Sequence, residues 1–296
     1  QGYTTAGHQP WCGPDAGAAA ATDNQLRSER RPVPDSRLEG LVLQSRHLGE
    51  SDRLLTLLTE EQGMVRLAAP GARRPRSALA AAVPLALLRL QVGGRSSGLQ
   101  RVRQLQVLRS YGALGQRLET LAAAQGLAEL CLQAVASGDR APGLLADLLL
   151  QLGRLDGVVT EASDRIEALA VAVQGSVHLL ALSGYALPLQ HCVRSGAPLE
   201  PPLGQWQWRC SLLPAEGLVI GAIAGAAVLL NPSELALLQR LVRAAPPRRR
   251  DGALMGPEPV WLHLLALVEC WAREHLGRPP RAFRLLRTAC TSPPPR

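Results

Sequence analysis

Apolar and polar positions along the chain change rhythm twice. Residues 1–36 show no sustained period and are rich in Gly, Ala, Pro and Asp, the signature of a disordered extension. From Arg37 onward, short apolar runs recur, and the pattern predicts strands over 37–46, 51–60, 63–69, 81–92 and 99–110. Short turn-rich links join them, among them HLGE, EQG and GGRSSG. Val102, Leu105 and Val107 anchor the last strand between polar positions. Strands this short and closely spaced predict a small antiparallel β-barrel over 37–110, with an open antiparallel sheet as the alternative.

From residue 112 the period becomes helical. Leu118, Leu121, Leu127 and Leu130 fall at helical spacing. A second helix is predicted over 141–155, with Pro142 near its start, and a third over 162–185, opened by Ser163 with Glu167 behind it. A Pro- and Gly-rich, Trp-containing insertion covers 186–216. Helices resume at 231–244, with Asn231 as cap and Pro232 at the first helical position, and at 256–277, ending on glycine. The reading is an α+β chain: a barrel, then an α-helical bundle over 111–290 with an irregular insertion, then a disordered tail over 291–296.

The chain has 296 residues, enough for two cored domains, and is 47% hydrophobic. All its cationic side chains are arginine; with the heavy use of Ala, Leu, Gly and Pro, the missing lysines read as compositional bias. The net charge of +8 is segregated: 37–110 carry +7, 111–242 carry −4 and 243–296 carry +6. Two basic segments around an acidic middle favour a polyanionic partner. The six cysteines lie far apart, and with no secretory signal visible the expectation is a reduced, cytoplasmic chain. The longest uncharged apolar run, 217–230, is too short to span a bilayer, so no membrane is expected.

Catalytic patterns are absent: no phosphate loop with its lysine, no GxSxG, no HExxH and no complete CxxC. The expectation is a protein that is not an enzyme. The segment 37–77 instead carries three motifs in order: Gly49-Glu50-Ser51-Asp52-Arg53, Thr59-Glu60-Glu61-Gln62-Gly63, and Gly71-Ala72-Arg73-Arg74-Pro75-Arg76-Ser77. With them it resembles the N-terminus of the RecO family of bacterial recombination-mediator and DNA-repair proteins. Weaker likeness follows in the right order at 179–199, 214–217, 231–241 and 274–287. The resemblance implies an N-terminal OB-fold, a helical domain and a small zinc-binding insertion. It also implies a non-catalytic activity: binding single- and double-stranded DNA, annealing complementary strands and, with RecR, helping to load RecA onto strands coated by single-stranded-DNA-binding protein (SSB). The setting implied is the bacterial cytoplasm, in association with the nucleoid.

Arg73, Arg74 and Arg76 form the densest charge in the predicted barrel, with Arg46, Arg53, Arg66, Arg101 and Arg103 elsewhere in it. Guanidinium forks donate paired hydrogen bonds to phosphate, so these eight are the candidate DNA-binding residues. Residues 37–110 hold no Phe, Tyr or Trp, so bases have no ring to stack on and binding should run through the backbone. The resemblance further implies capture of SSB's acidic, apolar C-terminal tail, for which Arg278, Arg281, Arg284 and Arg287 beside Phe283 and Leu285 are candidates. Departure from the family appears at the zinc site. The first cysteine pair falls on Cys192 and Ser195, and Cys210 stands for one member of the second. With His191 the set reaches three, where zinc takes four, so no zinc and no other cofactor is expected. Apolar packing by Trp206, Trp208 and the 217–230 run is expected to replace the metal. The alternative function is a protein–protein adaptor on a degenerate OB-fold with little DNA affinity.

Overall fold

A computed structural model describes residues 32–95 and 99–291; residues 1–31 of the extension expected over 1–36, the 96–98 turn and the tail from 292 lie outside the described residues, while 32–36 are strand rather than disordered extension. Five strands, β1 (Pro32–Leu48), β2 (Asp52–Thr59), β3 (Gly63–Ala69), β4 (Ala86–Arg95) and β5 (Gln100–Ser110), close a barrel in the order β1-β2-β3-β5-β4. All pairings are antiparallel except β3 with β5, where Leu67 and Ala68 face Gln100 and Arg101. This is OB-fold topology, closed rather than open. One long strand, β1, closes it: its first half pairs with β4, its second with β2, and a bulge between Val42 and Gln44 lets it bend.

β1 begins at Pro32, earlier than the expected start at Arg37, because Pro32, Val33 and Ser36 pair with Arg95, Gly94 and Val92 at the end of β4. β4 begins later than expected, at Ala86. The stretch 70–85 is instead a chain of turns that buries Ala72, Leu79 and Ala82 into the barrel beside Leu55, Leu57, Leu67, Leu88 and Leu90. The arginine loop is therefore a plug whose small apolar residues point in and whose arginines point out. Leu41, Leu43, Leu58, Met64 and Leu85 belong instead to the core of the helical domain.

That domain contains α1 (Leu118–Ala134), α2 (Leu144–Thr160), α3 (Arg165–Leu182), α4 (Pro232–Arg240), α5 (Glu258–Leu276) and α6 (Ala282–Thr291). α3 packs against α1, α2 and α5. Its length and hydropathy suit a membrane span, yet 67% of it is buried inside the protein, as befits a core helix apolar on all sides. Its cap is Asp164, which accepts the Ile166 N–H, and not Ser163, whose carbonyl is taken by Arg117. α4 has the expected start, a reciprocal capping box between Asn231 and Glu234. The insertion reaches beyond 216: β6 (Cys210–Leu213), β7 (Gly217–Ile220) and β8 (Val228–Leu230) form a sheet in the order β7-β6-β8. The run 217–230 is thus two strands parted by Gly221 and Gly225, both at positive φ.

Candidate nucleic-acid interface

Strand register sorts the barrel arginines. Directly opposed residues share a face. Arg46 pairs with Leu54, Leu54 with Ala68, and Ala68 with Arg101, so one row crosses four strands. Two residues along, Gln44, Thr56 and Arg66 form a second row of the same parity. The intervening Leu55, Leu57 and Leu67 point into the core. Arg46, Arg66 and Arg101 consequently stand on one outer face of β1-β2-β3-β5, and all three are exposed.

Arg53 has the opposite parity, in a row with His47 and Ala69. It turns toward the plug and donates from Nη1 to the Ala82 carbonyl at 3.2 Å. Arg73 is also engaged: its N–H reaches the Ser51 carbonyl at 2.9 Å and its Nη1 the Glu50 carbonyl at 2.8 Å. These two arginines fasten the loop to the barrel, so the loop does not present three equivalent cations. Arg74 and Arg76 are exposed, the latter at φ 59°, a left-handed conformation that costs about 1–2 kcal/mol for a side-chain-bearing residue. Arg103 is exposed at the bulge where Gln91 pairs with Gln104 but Val92 with Val102.

Asp52 sits at the edge of the arginine face. Its Oδ1 accepts the Gly71 N–H at 2.8 Å and the Ser51 hydroxyl at 3.0 Å. Those two bonds hold its carboxyl below the ordinary value of 3.8, and the nearby cations of Arg101 and Arg74 add to the effect. One carboxylate thus lies within electrostatic reach of an arginine from β5 and one from the loop. Asp52 belongs to the first of the three motifs without a role legible there; the signal available in the sequence is an acidic residue inside the most basic segment.

The Thr59–Gly63 motif docks the two domains. Thr59 Oγ1 donates to the Gly63 carbonyl and accepts the Gln62 N–H, fixing the β2–β3 turn. Glu60 accepts the Gly143 N–H at 2.8 Å, and the Gly138 N–H reaches the Met64 carbonyl at 3.0 Å. At Gly63, φ is 62° and an added Cβ would stand 1.7 Å from the Asp139 carbonyl oxygen. Arg109 completes the junction through Asp156 at 3.1 Å and stacks over Tyr111.

The C-terminal cluster divides. Phe283 is fully buried, its ring filling the space left by Gly126 of α1, so it does not line a surface pocket as the sequence led one to expect. Arg287 is ion-paired with Glu269. Arg278, Arg281, Arg284 and the half-exposed Leu285 remain at the surface, and Glu129 accepts the Arg281 N–H where α6 begins.

In the insertion, Cys192 accepts the Ile220 N–H at 3.5 Å, and this bond together with donors from Ser195 and Arg194 outweighs burial and brings its thiol down to about 7. Burial, then the adjacent Cys192, pushes Cys210 up to about 12. The two sulfurs are neighbours, but Ser195 stands where a third would be, and His191 is an exposed strand-bridge residue. Among the described residues no group of three His, Cys, Asp or Glu is placed to hold a metal. The donor set does not fit zinc. Leu212, Leu218, Val219, Val228 and Leu230 fill the small core with Trp208 packed against it, whereas Trp206 is 70% exposed and takes no part.

Fold and site define an OB-fold protein with a basic outer face, joined to a helical domain by an intimate junction. The family signature described as "Recombination protein O N terminal" matches residues 34–111, and "Recombination protein O C terminal" matches 115–283. The chain belongs to the RecO family of DNA repair proteins. It is 61% identical over 261 residues to the DNA repair protein RecO of Synechococcus sp. (strain WH7803), covering 88% of this chain and 96% of that protein. It is 62% identical over 259 residues to that of Prochlorococcus marinus (strain MIT 9303), covering 87% and 97%. With the RecO of Synechococcus elongatus (strain ATCC 33912 / PCC 7942 / FACHB-805) it shares 34% over 259 residues, covering 85% and 94%.

Proposed function

We propose that the chain is a non-enzymatic mediator that binds single- and double-stranded DNA by its phosphates and anneals complementary strands. The observation that carries this is the face bearing Arg46, Arg66 and Arg101, with Arg74 at its edge, on a barrel without Phe, Tyr or Trp. Cations without stacking platforms grip the backbone and leave base edges free to pair. In the cell it works in the cytoplasm on nucleoid DNA, with RecR, and helps RecA load onto SSB-coated strands. The SSB tail meets the α5–α6 corner through Arg278, Arg281, Arg284 and Leu285, without Phe283.

Annealing of complementary oligonucleotides tests the reading. The wild type accelerates annealing, and Arg46/Arg66/Arg101→Ala, which alters only outward side chains, loses most of the acceleration. A wild type that neither binds nor anneals DNA establishes the adaptor reading instead. A labelled SSB tail peptide that binds wild type and Arg281/Arg284→Ala equally removes the tail from this corner.

A further inference from the structure

Asp52 puts a negative charge inside the surface that is to hold a polyanion. By charge alone it weakens that surface, so its place there requires another explanation. The β1–β2 turn and the arginine loop meet only through a few bonds, and Asp52 is at their centre. Its Oδ1 takes the Gly71 N–H at 2.8 Å; the next link, from the Arg73 N–H, ends on the carbonyl of Ser51, whose hydroxyl Asp52 also holds. Gly71 has φ 64°, so the chain reverses at the residue Asp52 grips. Three residues on, the Arg74 N–H closes a turn onto the Gly71 carbonyl at 3.0 Å. A displacement of Gly71 therefore moves Arg74 directly.

We infer that Asp52 is a positioning residue for DNA binding: it anchors the arginine loop at Gly71 and so holds Arg74, whose side chain passes beside Gly71, at the edge of the arginine face. The inference rests on the DNA-binding reading above. A long arginine held in one orientation loses less freedom on binding, so the anchor strengthens the site despite the negative charge it brings.

The experiment compares wild type, Asp52→Ala, Asp52→Ser and Asp52→Asn, each first shown to be folded by circular dichroism. Asn keeps an oxygen for the Gly71 N–H and removes the charge; Ala and the short Ser side chain remove the anchor. Two measurements are made: trypsin cleavage after Arg73 and Arg76 without DNA, and the salt dependence of single-strand binding. Anchoring predicts faster cleavage in Ala and Ser, with Asn close to wild type. It also predicts weaker binding in Ala and Ser with the log–log salt slope flattened by about 0.7, one phosphate contact. Asn should retain the wild-type slope.

If Ala and Ser bind more tightly than wild type with an unchanged slope, Asp52 acts only as a charge and the inference is wrong. Faster cleavage with wild-type affinity and slope also overturns it, since the anchor would then be structural alone. Failure of the DNA reading itself shows separately, as a wild type with no salt-dependent DNA binding, and takes the inference with it. Should Ala fail to fold, Ser and Asn decide the question.

Discussion

The junction between barrel and helices can be broken at one atom. In Gly63→Ala the new Cβ would lie 1.7 Å from the Asp139 carbonyl oxygen and 2.7 Å from its carbon, both backbone atoms that no rotamer change can move aside. The residue also carries φ 62°, a conformation costing an L-residue about 1–2 kcal/mol. Relieving the overlap requires the 137–140 segment to withdraw, at about 1–3 kcal/mol for typical overpacking. Together the loss is about 2–5 kcal/mol. Gly49 supplies the control: its φ is 63° but an added Cβ meets nothing within 4 Å, so Gly49→Ala loses only the conformational part, about 1–2 kcal/mol. At ~2–4 °C per kcal/mol, Gly63→Ala should fall roughly twice as far in thermal midpoint as Gly49→Ala by circular dichroism. Equal midpoints would refute the claim that Gly63 is reserved for the Asp139 carbonyl.

Gly126→Ala would place a Cβ 2.1 Å from Phe283 Cε1 and should destabilise the helical domain by about 1–3 kcal/mol while DNA binding by the barrel persists, checked by denaturation and oligonucleotide titration. His178 lies between Asp147 Oδ1 at 3.3 Å and the Leu241 carbonyl at 2.7 Å, and Asp147 raises it above the ordinary 6.5. Its contribution is complete below the unfolded value and disappears as pH rises through the higher folded value, so the thermal midpoint should decline from pH 6 to 8, less so in His178→Gln. Dialysis against a chelator should leave the thermal midpoint unchanged, because Cys192 and Cys210 alone cannot complete a zinc shell; a fall would contradict that.

Strands and helices were legible where turn or cap residues bound an apolar run. β3 matches its apolar run because Gly63 and Pro70 bracket it, although both its faces are largely buried. β4 was placed too early because Ala82 is buried by the plug rather than by a strand, and periodicity does not distinguish the two. The arginines were visible as a set, but their division depends on register. Arg53 and Arg66 look alike in sequence, yet parity turns one toward Ala82 and the other outward. Phe283 was misread for a related reason: the gap that buries it is created by Gly126 on a distant helix.

The central claim is that the β1-β2-β3-β5 face holds phosphates. Its most direct test is the salt dependence of single-strand affinity for wild type, Arg46/Arg66/Arg101→Ala and a control, Arg194→Ala, whose side chain is exposed but paired with Glu216 at 2.7 Å. At ~0.7 per contact, the triple variant should flatten the log–log slope by about 2 while the control matches wild type. A triple variant with the wild-type slope would contradict the account and move the interface elsewhere on the molecule.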